Sequence, residues 1–436
     1  MGAQSTVFPD HPESSAADVI IVGGGPVGLL LANLLGSAHV RTWVFEKRET
    51  PLESSMAIGV TPPSLEILKQ LGLDQAFSSA GVPVRYAEVH ESGTRLGRLA
   101  FDHLPSDYPF FLSIPQARTV EILRESLRRF SSVRIRDGTE FMGLTQEQGG
   151  VKVVLRDART RVTFETQAPF VVGCDGHRSA VREIAELRVR ERTYRQRFVM
   201  ADFLDESGLG IEARLFFTPE ASVESFPLPG GWRRWIVLGD EWSNDMSLQY
   251  LTRTVQRLTG FNLSRHSARF VSKFGARRML VNRYYAGRVL LAGDAAHVMS
   301  SIGGQGMNTG FADAELAAAL LPGLLKNPIR IPEAFATYDR IRRRACNVAA
   351  NRAERGMWLG TLRGHFASAF RKHLIRDVLF SPLLRSRLAP HFAMLTIPFR
   401  NLNQVPPELL ISHEFNHAFY PEHPRCHSNS RSQAGL

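Results

Sequence analysis

Leu290-Leu-Ala-Gly293-Asp294-Ala-Ala-His297, followed by Gly303-Gly304-Gln305-Gly306-Met307-Asn308-Thr309-Gly310, is the stretch on which the reading of the chain turns. Gly287 to Ala292 reads as a short buried strand. It ends on Gly293-Asp294, a carboxylate at a strand's carboxyl end, where open α/β sheets bind ligands. A glycine-rich turn then opens an apolar helix, Phe311 to Leu321. Free backbone N–H groups at such a helix start, with the dipole behind them, favour negative charge. The stretch therefore offers an acceptor for a hydroxyl and a cradle for an anion.

Two other stretches repeat the order of strand, turn and helix. Asp18-Val-Ile-Ile-Val-Gly23-Gly24-Gly25-Pro26-Val27-Gly28 leads into the apolar run Leu29-Leu-Leu-Ala. Gly23, Gly25 and Gly28 fill the three positions of the dinucleotide fingerprint. The first makes the turn, the second lets backbone approach a pyrophosphate, and the third lets helix pack on strand. The next expected strand, Arg41 to Glu46, ends in a carboxylate 18 residues after Gly28, where an acceptor for a ribose hydroxyl belongs. An ordinary βαβ turn is the competing reading of these residues. Phe170-Val-Val-Gly173-Cys174-Asp175-Gly176 runs a third buried strand into a turn. Alone, Asp-Gly is only a turn signal. As a third strand-end site it carries more weight. A reduced flavin would use both features of the opening stretch, since its ribityl chain has hydroxyls and its N1–C2=O edge carries charge.

Composition bounds the rest. The 436 residues suffice for two or three domains or one composite fold with a sizeable core. Hydrophobic residues make up 44%, ordinary for a soluble protein. The net charge is +11, and of 53 Lys and Arg only six are lysine. No single long basic run is present, so nucleic acid is not an expected partner, and the arginine bias is read as genome composition. Cys174, Cys346 and Cys426 form no close pair and no even framework, as in a reducing compartment such as the cytoplasm. Residues 1–17 read as a disordered terminus without a secretory pattern. No apolar run is long enough for a transmembrane helix, and no internal repeat is evident.

The three motifs, in this order, resemble the single-component FAD-dependent monooxygenases, the aromatic-hydroxylase group that includes para-hydroxybenzoate and phenol hydroxylases. Tyr338-Asp-Arg-Ile-Arg-Arg343-Arg344 resembles that family's arginine-rich segment, and the likeness runs from about 18 to 345. It implies an α/β, Rossmann-like FAD-binding domain with an inserted β-sheet substrate domain and C-terminal helices. Its parts would be 18–82, 115–189 and 284–330 for FAD, 83–114 and 190–283 for substrate, 331–405 helical, and 406–436 a tail. The resemblance implies a ribose contact for Glu46, with Pro26, Lys47 and Arg48 beside the nucleotide. It implies ribityl–phosphate contacts for Gln116 or Arg118. Asp175 would support FAD and the use of nicotinamide cofactor. Asp294 would take a ribityl hydroxyl, and the backbone around Gly304, Gly306, Met307 and Asn308 would face the flavin ring. The chain departs from the family pattern at Met56, where an arginine is common, at Ser300-Ser301-Ile302, where a proline precedes Gly-Gly, and at Ala345, also commonly proline. A vacant phosphate contact at 56 would be filled by Arg48 or Arg118.

The implied chemistry is hydride transfer from NADPH or NADH to FAD, then molecular oxygen addition to give a flavin C4a-hydroperoxide that hydroxylates a phenolic or polyketide-like aromatic. Epoxidation and Baeyer–Villiger oxidation on the same fold stay open. A halogenase would want Trp-x-Trp-x-Ile, and Trp232-Arg-Arg-Trp235-Ile236 has the wrong spacing. A non-enzymatic escort-type relative would lack a use for Asp294 and the glycine cradle. Tyr86, Phe203, Phe216, Phe226, Trp235 and Tyr250 are candidate substrate contacts, each favoured as core. His297 is a weak candidate for proton transfer, with structural support preferred. Beyond Arg355, arginines interleave with Phe366, Phe370, Leu374, Phe380, Leu383 and Leu384, a pattern that fits either a helical cap or a basic membrane-surface contact. His413, His417, His423, Cys426 and His427 match no standard metal spacing and read as a disordered tail. No metal site and no thioredoxin-like extension is expected.

Overall fold

The computed structural model describes residues 16–51, 57–239, 247–300, 302–397 and 404–410. Met56, Arg400 and the histidine-bearing tail lie outside the described residues.

A six-stranded sheet carries the three motifs. Across it run Tyr285–Ala286, Val289–Leu291, Phe170–Gly173, Val19–Val22, Thr42–Phe45 and Val133–Arg136. Every pairing is parallel except that of Tyr285–Ala286 with Val289–Leu291. Val19–Val22 and Phe170–Gly173 are apolar throughout and fully buried, as central parallel strands between helical layers must be. Their carboxyl ends bring Gly23, Asp175 and Asp294 to one edge. Helix Pro26–Ser37 packs there against helix Gln305–Lys326. The contact depends on glycine. A Cβ at Gly28 would stand 2.1 Å from the Gly23 carbonyl oxygen, and one at Gly310 would stand 2.6 Å from Val27 Cγ2 and 3.1 Å from Gly293 Cα. Side chains there would push the two helices off the sheet.

An eight-stranded sheet covers this edge. Its order is His297–Val298, Arg269–Val281, Val189–Leu204, Trp232–Gly239, Ser222–Leu228, Ala213–Phe217, Tyr86–Glu91, Thr94–Ala100. Alternation along the strands gives it two unlike faces. One carries Val199, Ala201, Phe203, Phe216, Val223, Trp235 and Val237 and is closed by helix Leu248–Thr259. The other carries Leu215, Phe226, Ile236 and Leu238 and meets the C-terminal helices at Met357, Ala389 and Ala393. A three-stranded sheet, Gly59–Val60, Phe111–Ser113 and Val82–Val84, links the two large sheets.

The chain ends in the long helix Ile331–Gly360, then Gly364–His373, a short π-helical turn Leu374–Leu379 and Pro382–Phe392. Phe366 is 95% exposed and Leu383 80%, but not every arginine of this region shares their exposure. Arg371 points inward and is fully buried. Its Nε and Nη2 donate to the two Glu91 carboxylate oxygens at 2.6 Å each, and Nη2 also reaches the Thr218 carbonyl at 2.8 Å. Arg376 is tied to Asp377. No helix among the described residues is long and apolar enough to cross a membrane.

The Arg371–Glu91 pair therefore locks the C-terminal helices onto the eight-stranded sheet. Removing one partner leaves the other charge buried without compensation, so Glu91→Ala is expected to lower folding stability by about 3–5 kcal/mol. The double change Glu91→Leu with Arg371→Met should recover most of the loss. Urea unfolding of the three proteins checks both. A double variant no more stable than Glu91→Ala would contradict the buried-pair account.

Candidate active site

Gly293 sits at φ +61, a left-handed turn that glycine adopts without strain. The turn is held from below by Asp313. This carboxylate has no exposure and accepts the Gly293 N–H at 2.9 Å. It also takes His297 Nε2 at 2.6 Å and Arg342 Nε at 2.6 Å. Arg342 donates further to the Thr309 carbonyl at 3.0 Å, so one guanidinium fastens the glycine-rich turn and the Gly-Asp turn together. Burial alone would raise the Asp313 pKa, but the His297 and Arg342 charges and hydrogen bonds outweigh it and hold the carboxyl below its ordinary value. Tyr338 donates to the Leu291 carbonyl from the same helix as Arg342.

His297 is thus fully buried beneath the turn, paired with Asp313. That geometry makes it a positioning residue for Asp294, with no open side toward a reactant. Asp294 differs: it is flanked closely by protein but exposes its carboxylate on one side. The surrounding protein pushes its pKa up, against the pull of His297, His177 and Arg277. Because water reaches the open side, it is read as an ionised acceptor.

The helix Gln305–Lys326 begins beside this carboxylate. Gly303 and Gly304, at φ +78 and +63, turn the chain into it, with no side-chain cap and no acidic residue in the first turn. Asn308 is fully buried. Its Nδ2 donates to the carbonyls of Gly59 at 3.0 Å and Gly304 at 2.6 Å, and its Oδ1 accepts the Thr61 N–H at 3.0 Å. The amide fixes the cradle to the linking sheet. Gly304, Gly306 and Met307 remain partly accessible above it.

The other expected contacts gather along the same edge. Helix Pro26–Ser37 starts at Gly25 without a side-chain cap or an acidic first turn, and a Cβ at Gly25 would meet nothing within 4 Å. Glu46 accepts the Gly24 N–H on Oε2 at 2.7 Å and the Arg48 N–H on Oε1 at 3.0 Å, and Oε2 keeps a lone pair. Arg48 leans back on Glu46 at 3.3 Å, and Lys47 is exposed. Gln116 takes the Ala57 N–H at 3.3 Å, whereas Arg118 is exposed and pairs with Glu121 at 2.7 Å. Asp175 Oδ2 accepts the Val181 N–H at 3.1 Å while its Oδ1 is buried without a partner. An open helix start, the remaining lone pair on Glu46 Oε2 and the unpartnered Asp175 oxygen fit a dinucleotide with a pyrophosphate and hydroxyls.

The aromatic candidates divide between the two faces of the sheet, and most take the core placement favoured for them. Phe203, Phe216 and Trp235 lie on the face closed by helix Leu248–Thr259, and Tyr250 belongs to that helix and packs with them. Tyr86 opposes Ala100 and donates to Asp102 at 2.7 Å, with the Arg98 guanidinium 3.8 Å from its ring. Of the six, Phe226 alone shares the face turned toward the C-terminal helices. A period of two separates the faces, and composition carries no mark of which one is turned inward. Asp313 was missed as well. Its signal was an acid within Phe311-Ala-Asp313-Ala-Glu-Leu-Ala-Ala, a helical run otherwise almost all apolar.

A parallel sheet with a glycine fingerprint, a ribose-type carboxylate and a Gly-Asp turn beside an uncapped helix defines a dinucleotide-binding flavoprotein. The chain belongs to the FAD binding domain family, which it matches over residues 16–353. It is 35% identical over 336 residues to 6-methylpretetramide 4-monooxygenase of Streptomyces rimosus, covering 75% of this chain and 59% of that protein. It is 32% identical over 305 residues to a rifampicin monooxygenase of Streptomyces venezuelae, covering 68% and 62%. The chain thus spans about three fifths of the length of these relatives. The crystal structure of p-nitrophenol 4-monooxygenase from Pseudomonas putida shares the fold, with a TM-score of 0.80 and 24% identity over 87% of this chain and 98% of that one.

Asp294→Ala is expected to weaken FAD binding by about 1–3 kcal/mol, the loss of a ribityl hydroxyl's acceptor in an enclosed site. Titration of apoprotein with FAD, followed by quenching of flavin fluorescence, measures it. Unchanged affinity would remove Asp294 from the cofactor site.

Proposed function

We propose that the protein is a FAD-dependent monooxygenase that uses NADPH or NADH and molecular oxygen to hydroxylate a phenolic or polyketide-like aromatic molecule. The observation that carries this reading is the accessible Asp294 carboxylate beside the uncapped start of helix Gln305–Lys326, both fixed by Asp313. The kinship with proteins named for 6-methylpretetramide and rifampicin oxygenation supports it. Bound FAD would supply the redox chemistry, taking a hydride from the nicotinamide and activating oxygen for transfer of one atom to the substrate.

The chain's own residues would bind and orient. Glu46 accepts from the ribose, and the Gly25 helix start faces the pyrophosphate. Asp175 Oδ1 accepts from the dinucleotide, and Gln116 and Arg118 border its phosphate side. Asp294 accepts from the ribityl chain. The N–H groups at 304–308 stabilise negative charge on the reduced ring. The eight-stranded sheet and the C-terminal helices exclude water from the space above the ring, which suppresses wasteful release of peroxide. His297 and Arg342 act through Asp313 by keeping the Gly293 turn rigid.

With a substrate that fits, the protein should consume NAD(P)H and oxygen in equal amounts and place one labelled oxygen atom from dioxygen in a new hydroxyl. Nicotinamide oxidation should quicken when the substrate is present. Mass spectrometry after turnover under labelled dioxygen decides. Label in an oxirane or a lactone would redirect the reading to epoxidation or Baeyer–Villiger oxidation, and product formed without oxygen would overturn it.

A further inference from the structure

One enclosed carboxyl in the eight-stranded sheet has no use in the cofactor site. Glu224 lies in strand Ser222–Leu228, opposite Ile236 in one neighbouring strand and Leu215 in the other. Partnered residues share a face. Glu224 therefore looks the same way as Ile236 and Leu215, away from helix Leu248–Thr259. Ile236 packs near Met357, and Leu215 and Phe226 pack near Ala389 and Ala393, so the carboxyl stands between two apolar clusters. It has no hydrogen-bond or ion-pair partner among the described residues. Burial alone pushes its pKa up to about 7. Yet the residue keeps some accessible surface. The carboxyl is thus unpaired, set among apolar neighbours and still reachable by solvent, on the sheet face that meets the C-terminal helices.

The strand that carries Glu224 is tied to the flavin cradle. Ser113 Oγ donates to the Pro227 carbonyl at 2.6 Å, three residues along the strand from Glu224. The strand Phe111–Ser113 pairs with Gly59–Val60, whose Gly59 carbonyl takes the Asn308 amide of the cradle. The nearest charges on the same sheet face are Arg234 and Asp202, which pair at 2.6 and 2.9 Å and cancel each other. Arg352, Arg355 and His391 on the covering helices add nothing to the Glu224 shift, and Arg214 lies on the opposite face.

We propose that Glu224 is a specificity-determining residue of the substrate pocket, hydrogen-bonding a hydroxyl of an uncharged aromatic ring and rejecting rings that carry a carboxylate. The inference rests on the monooxygenase reading only for the kind of molecule that reaches Glu224. A neutral Glu224 can donate to or accept from a phenolic hydroxyl, and an ionised one accepts a charge-assisted bond. A second carboxylate fits only while Glu224 holds a proton. Once Glu224 ionises, two like charges share a poorly solvated space.

The test is equilibrium dialysis of the FAD-loaded protein with naphthol, uncharged throughout, and naphthoate, charged throughout, at about pH 6 and about pH 8, on either side of the Glu224 titration. In the wild type, the preference for naphthol over naphthoate should rise about tenfold between the two pH values, the effect of a like charge appearing nearby. In Glu224→Gln the preference should not change with pH. Should that variant fold poorly, Glu224→Leu, which matches the apolar neighbours, serves in its place. A wild-type preference flat in pH, an equal rise in the variant, or failure to bind either ring overturns the proposal. Dialysis needs no turnover, so a protein that discriminates the rings in this way but oxygenates nothing would overturn the monooxygenase reading and leave the role of Glu224 standing.

Discussion

The Asp313 carboxylate holds the molecule's functional edge in place. It is wholly buried, and from its helix it joins the Gly293–His297 segment to Arg342 of the next long helix. A charge in that position costs several kcal/mol to desolvate unless its lone pairs are filled. Here they are filled by a backbone N–H, an imidazole and a guanidinium. The same guanidinium takes the Thr309 carbonyl, so the carboxylate turn and the glycine cradle cannot move independently. A site that must present a hydroxyl acceptor and a set of N–H donors in fixed relation gains that fixity from the ionic contact beneath it.

Arginine usage follows from the same logic. Arg233, Arg234, Arg342 and Arg371 are all fully buried, paired with Asp205, Asp202, Asp313 and Glu91. A guanidinium presents a planar fork that can bind a carboxylate and still reach backbone carbonyls, which an ammonium does less well. Arg371 does this with Glu91 and Thr218, and Arg233 with Asp205 and the Glu212 carbonyl. Part of the bias toward arginine over lysine is therefore structural, and genome composition is not its sole source. On the C-terminal helices, too, Arg371 is an internal tie.

The backbone-determined parts of the fold were legible in the sequence. Gly23, Gly28, Gly293 and Gly310 mark close approach or left-handed turns that no other residue tolerates, so their spacing announces strand, turn and helix whatever surrounds them. Glu46, Asp175 and Asp294 were legible because each ends a predicted strand. The substrate side was not. Phe203, Phe216 and Trp235 alternate correctly for strands, but the sequence does not say which face of a sheet a neighbouring helix will close. Register and cover decide that, and both come from contacts distant in the chain. Asp313 was hidden for a related reason. Its role depends on Arg342 lying across the same helix, and nothing within a short window of sequence expresses that meeting.

The buried carboxylates divide into two kinds. Asp313, Glu91 and Asp202 each face a guanidinium, and their placement is accounted for by the elements they join. Glu224 lies among apolar neighbours and pairs with no cation, since Arg234 on the same sheet face is taken by Asp202. An uncompensated carboxyl in such a place lowers stability as pH rises: its folded pKa of about 7 exceeds the usual glutamate value, so whatever the protonated form contributes is lost as pH climbs through that range. A leucine between Leu215 and Ile236 would avoid the loss. Packing and strand pairing favour that leucine, and the one thing it cannot do is exchange hydrogen bonds with a molecule that reaches this face of the sheet. The physical case for glutamate at 224 is therefore a case about what approaches it there.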